Sequence, residues 1–228
     1  MARPRTHDLE AILDAAEELA VTSGAAAVTV RALSESTSMS NGAIYHAFGS
    51  RAGLVGRAWL RAAQQFLAAQ REAVDAARLN AGPAAPDSAA VAAVIAAADA
   101  PAAFLLAEPV RGRFLLSVAR DDLLGADELP AELADRLRAL DAELTRLFVD
   151  LAQQLWGRGD RTAVAVIRDC IVELPTALLL RGDRSPDPPA RHRLAAAVGA
   201  VLSVPLPPVS PQPGSPQPHP ATTPGKDS

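Results

Sequence analysis

Cysteine is all but missing from this chain of 228 residues: Cys170 has no second thiol to bridge, and no CxxC or histidine stands near it at metal-ligand spacing. An internal disulfide is excluded, no metal or other cofactor is expected, and Cys170 reads as a small buried side chain. Aromatic residues make up only 4% and glycine only 14 positions, while alanine is abundant. Alanine-rich, glycine-poor stretches favour helix over strand, so the expected fold is all-α. No run approaches the roughly eighteen uncharged apolar residues of a membrane span, and the opening MARPRTHDLE has no apolar signal-peptide core. A cytoplasmic chain with no membrane partner is expected. Also missing are a Walker loop, an HExxH pair, a nucleophile elbow and a dinucleotide fingerprint, which argues against an enzyme.

The last absence is of positive charge. The net charge is −4, whereas nucleic-acid-binding domains are commonly basic. Residues 1–51 hold four cations (Arg3, Arg5, Arg31, Arg51) against six anions. Five of the anions lie on one predicted helix, Asp8 to Ser23, whose polar face can turn away from DNA.

What is present is helical periodicity. Leu9, Ile12, Leu13, Ala16, Leu19 and Ala20 recur every three to four residues and give that first helix an apolar stripe. Gly24 is expected to end it in a left-handed cap. Thr29 and Ser40 are suitable N-caps for two short helices, Val30 to Ser36 and Asn41 to Phe48. Joined so closely, these must cross steeply, as a helix-turn-helix does, and close a core on the first helix through Val30, Leu33, Met39, Ile44 and Phe48.

The second short helix of that pair presents chemistry suited to duplex DNA. Thr29 and Ser40 stand at helix starts, where free N–H groups attract phosphate. Tyr45 and Arg51 add a phenol and a guanidinium for the backbone, and Arg31 can reach a guanine or a phosphate. Asn41, Gly42, Ala43 and His46 fall on the outer side, where Asn can pair with adenine and an alanine methyl can meet thymine. Tyr45 could instead be a core-edge aromatic, and His46 a solvated surface residue.

Ser50 opens a long helix through Leu54, Trp59 and Phe66 to about Leu79, ended by Gly82, Pro83 and Pro86. Further helices are expected near 88–99, 101–122 with a break at Pro109, 130–156, 160–182 with a kink at Pro175, and 188–204. From Pro205 onward stand nine of the nineteen prolines, so residues 205–228 read as a disordered tail. The domains expected are 1–51, 52–204 and that tail.

The ordered letters Thr29, Val30, Arg31, Leu33, Glu35, Ser40, Gly42, Ile44, Tyr45, His46, Phe48, Arg51 and Leu54 resemble the N-terminal domain of the TetR family of bacterial regulators. The resemblance covers roughly residues 8–60. It departs at Ser38, where the family usually carries glycine in the turn, and a left-handed serine there would weaken the domain by about 1 kcal/mol. The resemblance implies a homodimeric repressor on a near-palindromic double-stranded operator, with a C-terminal helical domain that binds a small-molecule effector.

For the dimer, Val164, Ile167, Ile171, Leu174 and Leu178 form one apolar seam, and Leu194, Val198, Val201 and Leu202 another; packing inside a single chain would use the same seams. For the pocket, the large side chains Phe104, Leu105, Phe114, Phe148, Leu151 and Trp156 either line a cavity or fill the core. Cys170 and Glu173 complete this candidate set, and an apolar or aromatic effector is expected. An all-helical ligand-binding or scaffolding protein without DNA-binding activity is the alternative, with the acidic balance in its favour.

Overall fold

The computed structural model describes residues 6–81, 86–181 and 186–208, and among these every regular element is helical. Helix α1 (Thr6–Ser23) buries Ile12, Leu13, Ala16 and Ala20, the stripe seen in the sequence. Gly24 ends it with φ 85° and ψ 155°. That is a positive φ as expected, but an extended ψ in place of a left-handed helical one. Helix α2 (Val30–Ser36) is capped by Thr29, whose hydroxyl accepts from Ala32 N at 3.1 Å. Helix α3 (Asn41–Phe48) is capped by Ser40, which accepts from Ala43 N at 3.3 Å.

The turn between α2 and α3 differs from expectation. No described residue other than glycine has positive φ, so Ser38 is not left-handed and the strain assigned to it does not arise. Thr37 leaves α2 in extended conformation, with its N–H and its hydroxyl both donating to the Leu33 carbonyl. Ser34 Oγ then donates to the Met39 carbonyl at 2.7 Å. Side-chain hydroxyls close this turn where a glycine would otherwise bend it. Gly49, at φ 75°, caps α3 and delivers the chain to the long helix α4 (Arg51–Ala81). Ser50 caps α4 by accepting from Gly53 N at 2.9 Å.

Helix α5 (Pro86–Ala107) runs straight through Pro101, where the sequence suggested a break. The reason lies in its neighbour: the Nε2 of Gln70, on α4, donates to the Ala97 carbonyl at 2.9 Å. That carbonyl is the acceptor that the N–H of residue 101 would serve if it were not proline. Helices α6 (Pro109–Ser117), α7 (Arg120–Leu124) and α8 (Ala131–Trp156) follow. Helix α9 (Arg161–Arg168) continues as π-helical turns over Asp169–Glu173 and Thr176–Leu180. Widened turns stand on either side of Pro175, the residue at which the sequence predicts a kink. Helix α10 (Pro188–Leu202) closes the bundle.

Two cores matter for function. Buried residues of α1, α2 and α3 pack with Leu54, Val55 and Ala58 of α4, but also with Phe114, Val118 and Leu123 from the region of α6 and α7. The N-terminal core therefore continues past residue 51. The second core joins α4, α5, α8, α9 and α10 through Val94, Ala97, Phe148, Leu151, Ile167, Cys170, Leu194 and Val198. Burial pushes the Cys170 thiol up to about 11, as expected of an inert packing residue.

The expectation of no membrane-length segment is corrected for α5. Asp87–Ala107 is long and apolar enough to cross a membrane by length and composition, with a mean hydropathy of 2.0. Its place in the molecule is that of a central core helix, burying Ala93, Val94, Ala97, Ala98 and Ala102. Its Asp99 accepts from Arg191 of α10 at 2.7 Å, a half-buried ion pair that ties the two helices together.

The arm residues Arg3 and Arg5, the interruption at Gly82 and Pro83, and the proline-rich tail beyond Pro208 lie outside the described residues.

Candidate nucleic-acid interface and inner cavity

Ile44 and Phe48 point inward, at 0% and 3% exposure, and fix the orientation of α3. Helical spacing then brings Asn41, Gly42, Tyr45 and His46 together on one exposed face, with Ala43 half-buried beside them. Tyr45 is 55% exposed, so it is not a core-edge aromatic. Thr29 and Ser40 are exposed at the starts of α2 and α3, their hydroxyls engaged as caps.

The arginines are less free than the sequence suggests. Arg31 pairs with Glu35 at 2.9 Å, but its side chain is 85% exposed, and such a surface pair is exchanged for a phosphate at little cost. Arg51 requires a correction. Its Nε donates to the Val28 carbonyl at 2.6 Å and its Nη2 to the Ala25 carbonyl, so the guanidinium ties the start of α4 to the segment before α2. Arg57, not singled out from the sequence, lies over the Phe48 ring at 5.6 Å. It links α4 to α3 by a tertiary contact that no local pattern announces.

The acids of α1 do not simply face solvent. Arg61 of α4 contacts Glu10 at 2.6 Å, Asp14 at 2.7 Å and Glu17 at 2.6 Å. Arg111 of α6 contacts Asp14 at 3.0 Å and Glu17 at 3.3 Å. Glu17 is 2% exposed, and burial raises its carboxyl above the usual range despite the opposing pull of both arginines. This network fastens α1 to α4 and α6.

A cavity of about 300 Å³ lies between α4, α5, α6, α7, α8 and the π turns after α9. Its walls are largely apolar, with Trp59, Phe66 and Phe104 as the aromatic lining and Gln70, Arg120, Asp141 and Thr176 as the polar exceptions. Of the expected pocket residues, Phe104 and Leu105 do line it. The others need correction. Phe114 is fully buried in the N-terminal core, while Phe148, Leu151 and Cys170 are buried in the second core with Trp156 packed on its edge. Glu173 is exposed, 3.6 Å from Arg168. Size in the sequence marks large core residues, but only the packing of six elements decides which of them border a void.

The apolar seams are corrected in the same way. Ile167, Ile171, Leu194, Val198 and Leu202 are buried inside the chain, and Val164, Leu174 and Val201 are half-buried against the same core. Ile171 also borders the cavity. Leu178 alone among the nine is exposed. Among the described residues no group of His, Cys, Asp or Glu is arranged to hold a metal ion.

Comparison with known proteins agrees with this geometry. Residues 12–58 match the family described as bacterial regulatory proteins, tetR family. No curated protein matches the chain. Among solved structures, a bacterial regulatory protein in the tetR family from Rhodococcus RHA1 aligns with a TM-score of 0.60 at 20% identity, over 87% of this chain and 96% of that one. The TetR family transcriptional regulator PfmR from Thermus thermophilus aligns with a TM-score of 0.59 at 19% identity, over 84% and 94%. A putative tetR family transcription regulator from Shewanella sp. PV-4 gives 0.57 at 16%, over 87% and 96%. Residues 12–58 thus match the family of bacterial regulatory proteins described as tetR, and the chain shares its overall fold with solved structures of TetR-family transcriptional regulators.

Proposed function

We propose that this protein is a dimeric transcriptional repressor that reads a near-palindromic operator through α3 and is released by a small apolar or aromatic molecule bound in the inner cavity. The observation that carries this is the exposed face of Asn41, Gly42, Tyr45 and His46 on a capped, well-anchored helix. Asn41 and Ala43 are placed to meet base edges, Tyr45, Arg31 and the helix start to meet phosphates. A two-fold dimer would present two such helices about 34 Å apart, one DNA turn or a multiple of it.

Release follows if the effector prefers the conformation that binds DNA poorly. Helix α4 is the lever: Trp59, Phe66 and Gln70 line the cavity, and Arg61 on the same helix grips the acids of α1.

The test is binding to the DNA upstream of the protein's own gene across a salt series. Tyr45→Phe is expected to weaken binding to all sequences alike, and Asn41→Ala to relax sequence preference by about 1–3 kcal/mol at one position. Arg51→Ala is expected to lower thermal stability and to weaken binding without changing the salt slope, because its guanidinium holds the domain together. Equal, salt-insensitive binding by all variants would instead favour a helical ligand-binding protein without operator function.

A further inference from the structure

One residue bordering the cavity, Gln70, has a polar atom that the fold leaves without a partner. Gln70 is 1% exposed, and both it and Pro101 line the cavity. Its Nε2 serves the Ala97 carbonyl orphaned by Pro101, which fixes which way round the amide sits. Reversed, Oε1 would press against another carbonyl oxygen, two acceptors in contact. The Gln70 Oε1 is therefore directed away from Ala97, buried and with no hydrogen-bond partner. A buried acceptor left so destabilises the fold, and a donor on a ligand restores the missing bond.

Most of the remaining polar atoms of the cavity are engaged, although the Nε of Arg120 is also buried without a hydrogen-bond partner. Arg120 is paired with Asp141 and lies 3.6 Å from Asp121, so its charge is compensated. The Thr176 hydroxyl donates to the Val172 carbonyl at 2.6 Å. A ligand bearing a formal charge would enter a mainly apolar cavity in which the charges of Arg120 and Asp141 already offset each other. Phe66 and Phe104 meet edge-on at 5.6 Å and, with Trp59, offer faces suited to a ring.

We propose that the cavity takes a neutral, mainly apolar molecule with one hydroxyl or N–H donor, and that this donor hydrogen-bonds to Gln70 Oε1. This rests on the reading of the cavity as an effector site and adds the chemical class of the effector. It also gives α4 two functions along its length: Gln70 meets the ligand, while Arg61, nine positions earlier and about 13 Å along the helix, holds α1.

The experiment is calorimetric titration of the full chain with 4-alkylphenols from butyl to octyl, the matching 4-alkylanisoles, which lack the donor, and the matching 4-alkylbenzoates. A phenol is expected to bind about tenfold or more tightly than its anisole, and the benzoates to bind weakest. Gln70→Leu alone would strand the Ala97 carbonyl, so the informative variant pairs it with Pro101→Ala, which returns an N–H to that carbonyl. In the double variant the preference for phenol over anisole is expected to vanish, while Pro101→Ala alone keeps it. The proposal is overturned if phenols and anisoles bind equally, if benzoates bind best, if the double variant keeps the preference, or if no phenol binds. Operator affinity measured on the same samples separates the two ideas. Gln70-dependent phenol binding that leaves operator affinity unchanged defeats the effector reading alone. Operator release without donor preference defeats the ligand class alone.

Discussion

At the scale of single residues, side chains that look alike in the sequence carry unlike duties. Arg31 and Arg51 flank the same motif, yet one is held only by an exposed pair and the other by two backbone carbonyls. Asp160 shows how much a local arrangement can do. Its pairing with Arg158, and secondarily its capping of α9 by accepting from Thr162 N at 3.0 Å, hold its carboxyl down at about 2. Arg158 also donates to the Pro207 carbonyl at 2.9 Å, which brings the end of the described chain onto the same cap. A carboxylate with a lowered folded-state pKa contributes stability that is present above its ordinary value of 3.8 and is lost as pH falls through about 2. Asp160→Asn keeps the capping oxygen and removes the charge. Its unfolding midpoint in urea is expected to lie below that of the parent at neutral pH and to converge on it between those two pH values. A constant gap across that window would show that the charge of Asp160 adds nothing.

Among elements, the decisive contact is between α1 and the pair α4 and α6. Glu17 sits in that contact almost fully buried, with Arg61 at 2.6 Å and Arg111 at 3.3 Å. Removing Arg61 leaves a desolvated carboxylate with Arg111 as its main partner, at a cost toward the lower end of the roughly 3–5 kcal/mol seen when a buried pair is broken. Glu17→Gln removes the buried charge itself, and the raised carboxyl pKa indicates how much burial opposes that charge. Chemical denaturation is expected to rank Arg61→Ala as clearly less stable than Glu17→Gln. In both, effector and operator binding are expected to respond less to one another, because the clamp between lever and reading head is loosened. The reverse order of stability would mean that the ion pair outweighs desolvation here. Neither this clamp nor the cavity was legible in the sequence, because each joins residues tens of positions apart. The helices were legible where local signals suffice: Thr29, Ser40 and Ser50 announce their caps, and the spacing of Ile12, Leu13, Ala16 and Ala20 shows a buried face. Local signals misled at Pro101, where a distant glutamine supplies what the proline removes, and at Ser38, where neighbouring hydroxyls shape the turn.

For the whole molecule, the proposed dimer has to be built from surfaces that the chain leaves outside its own core. The seams expected from heptad-like spacing are the chain's own core, so a dimer formed by α9 and α10 must use their outward faces. Leu178 is the one large member of those seams on the outside, 46% exposed. If a partner covers it, burying a leucine of this size contributes about 1.5–3 kcal/mol per copy, and Leu178→Arg would bury an unpaired charge there in both copies. Sedimentation of the parent is expected to give twice 23.6 kDa, about 47 kDa, and Leu178→Arg to shift the balance toward a folded monomer. That monomer should keep its helical circular dichroism and its ligand affinity but lose operator affinity steeply, since one reading head must then bind without the second. Ile167→Arg supplies the contrast: a charge placed in a fully buried site should abolish folding itself. A Leu178→Arg protein that remains dimeric and binds operator as the parent does would move the interface away from this face, leaving the inner cavity and α3 as they stand.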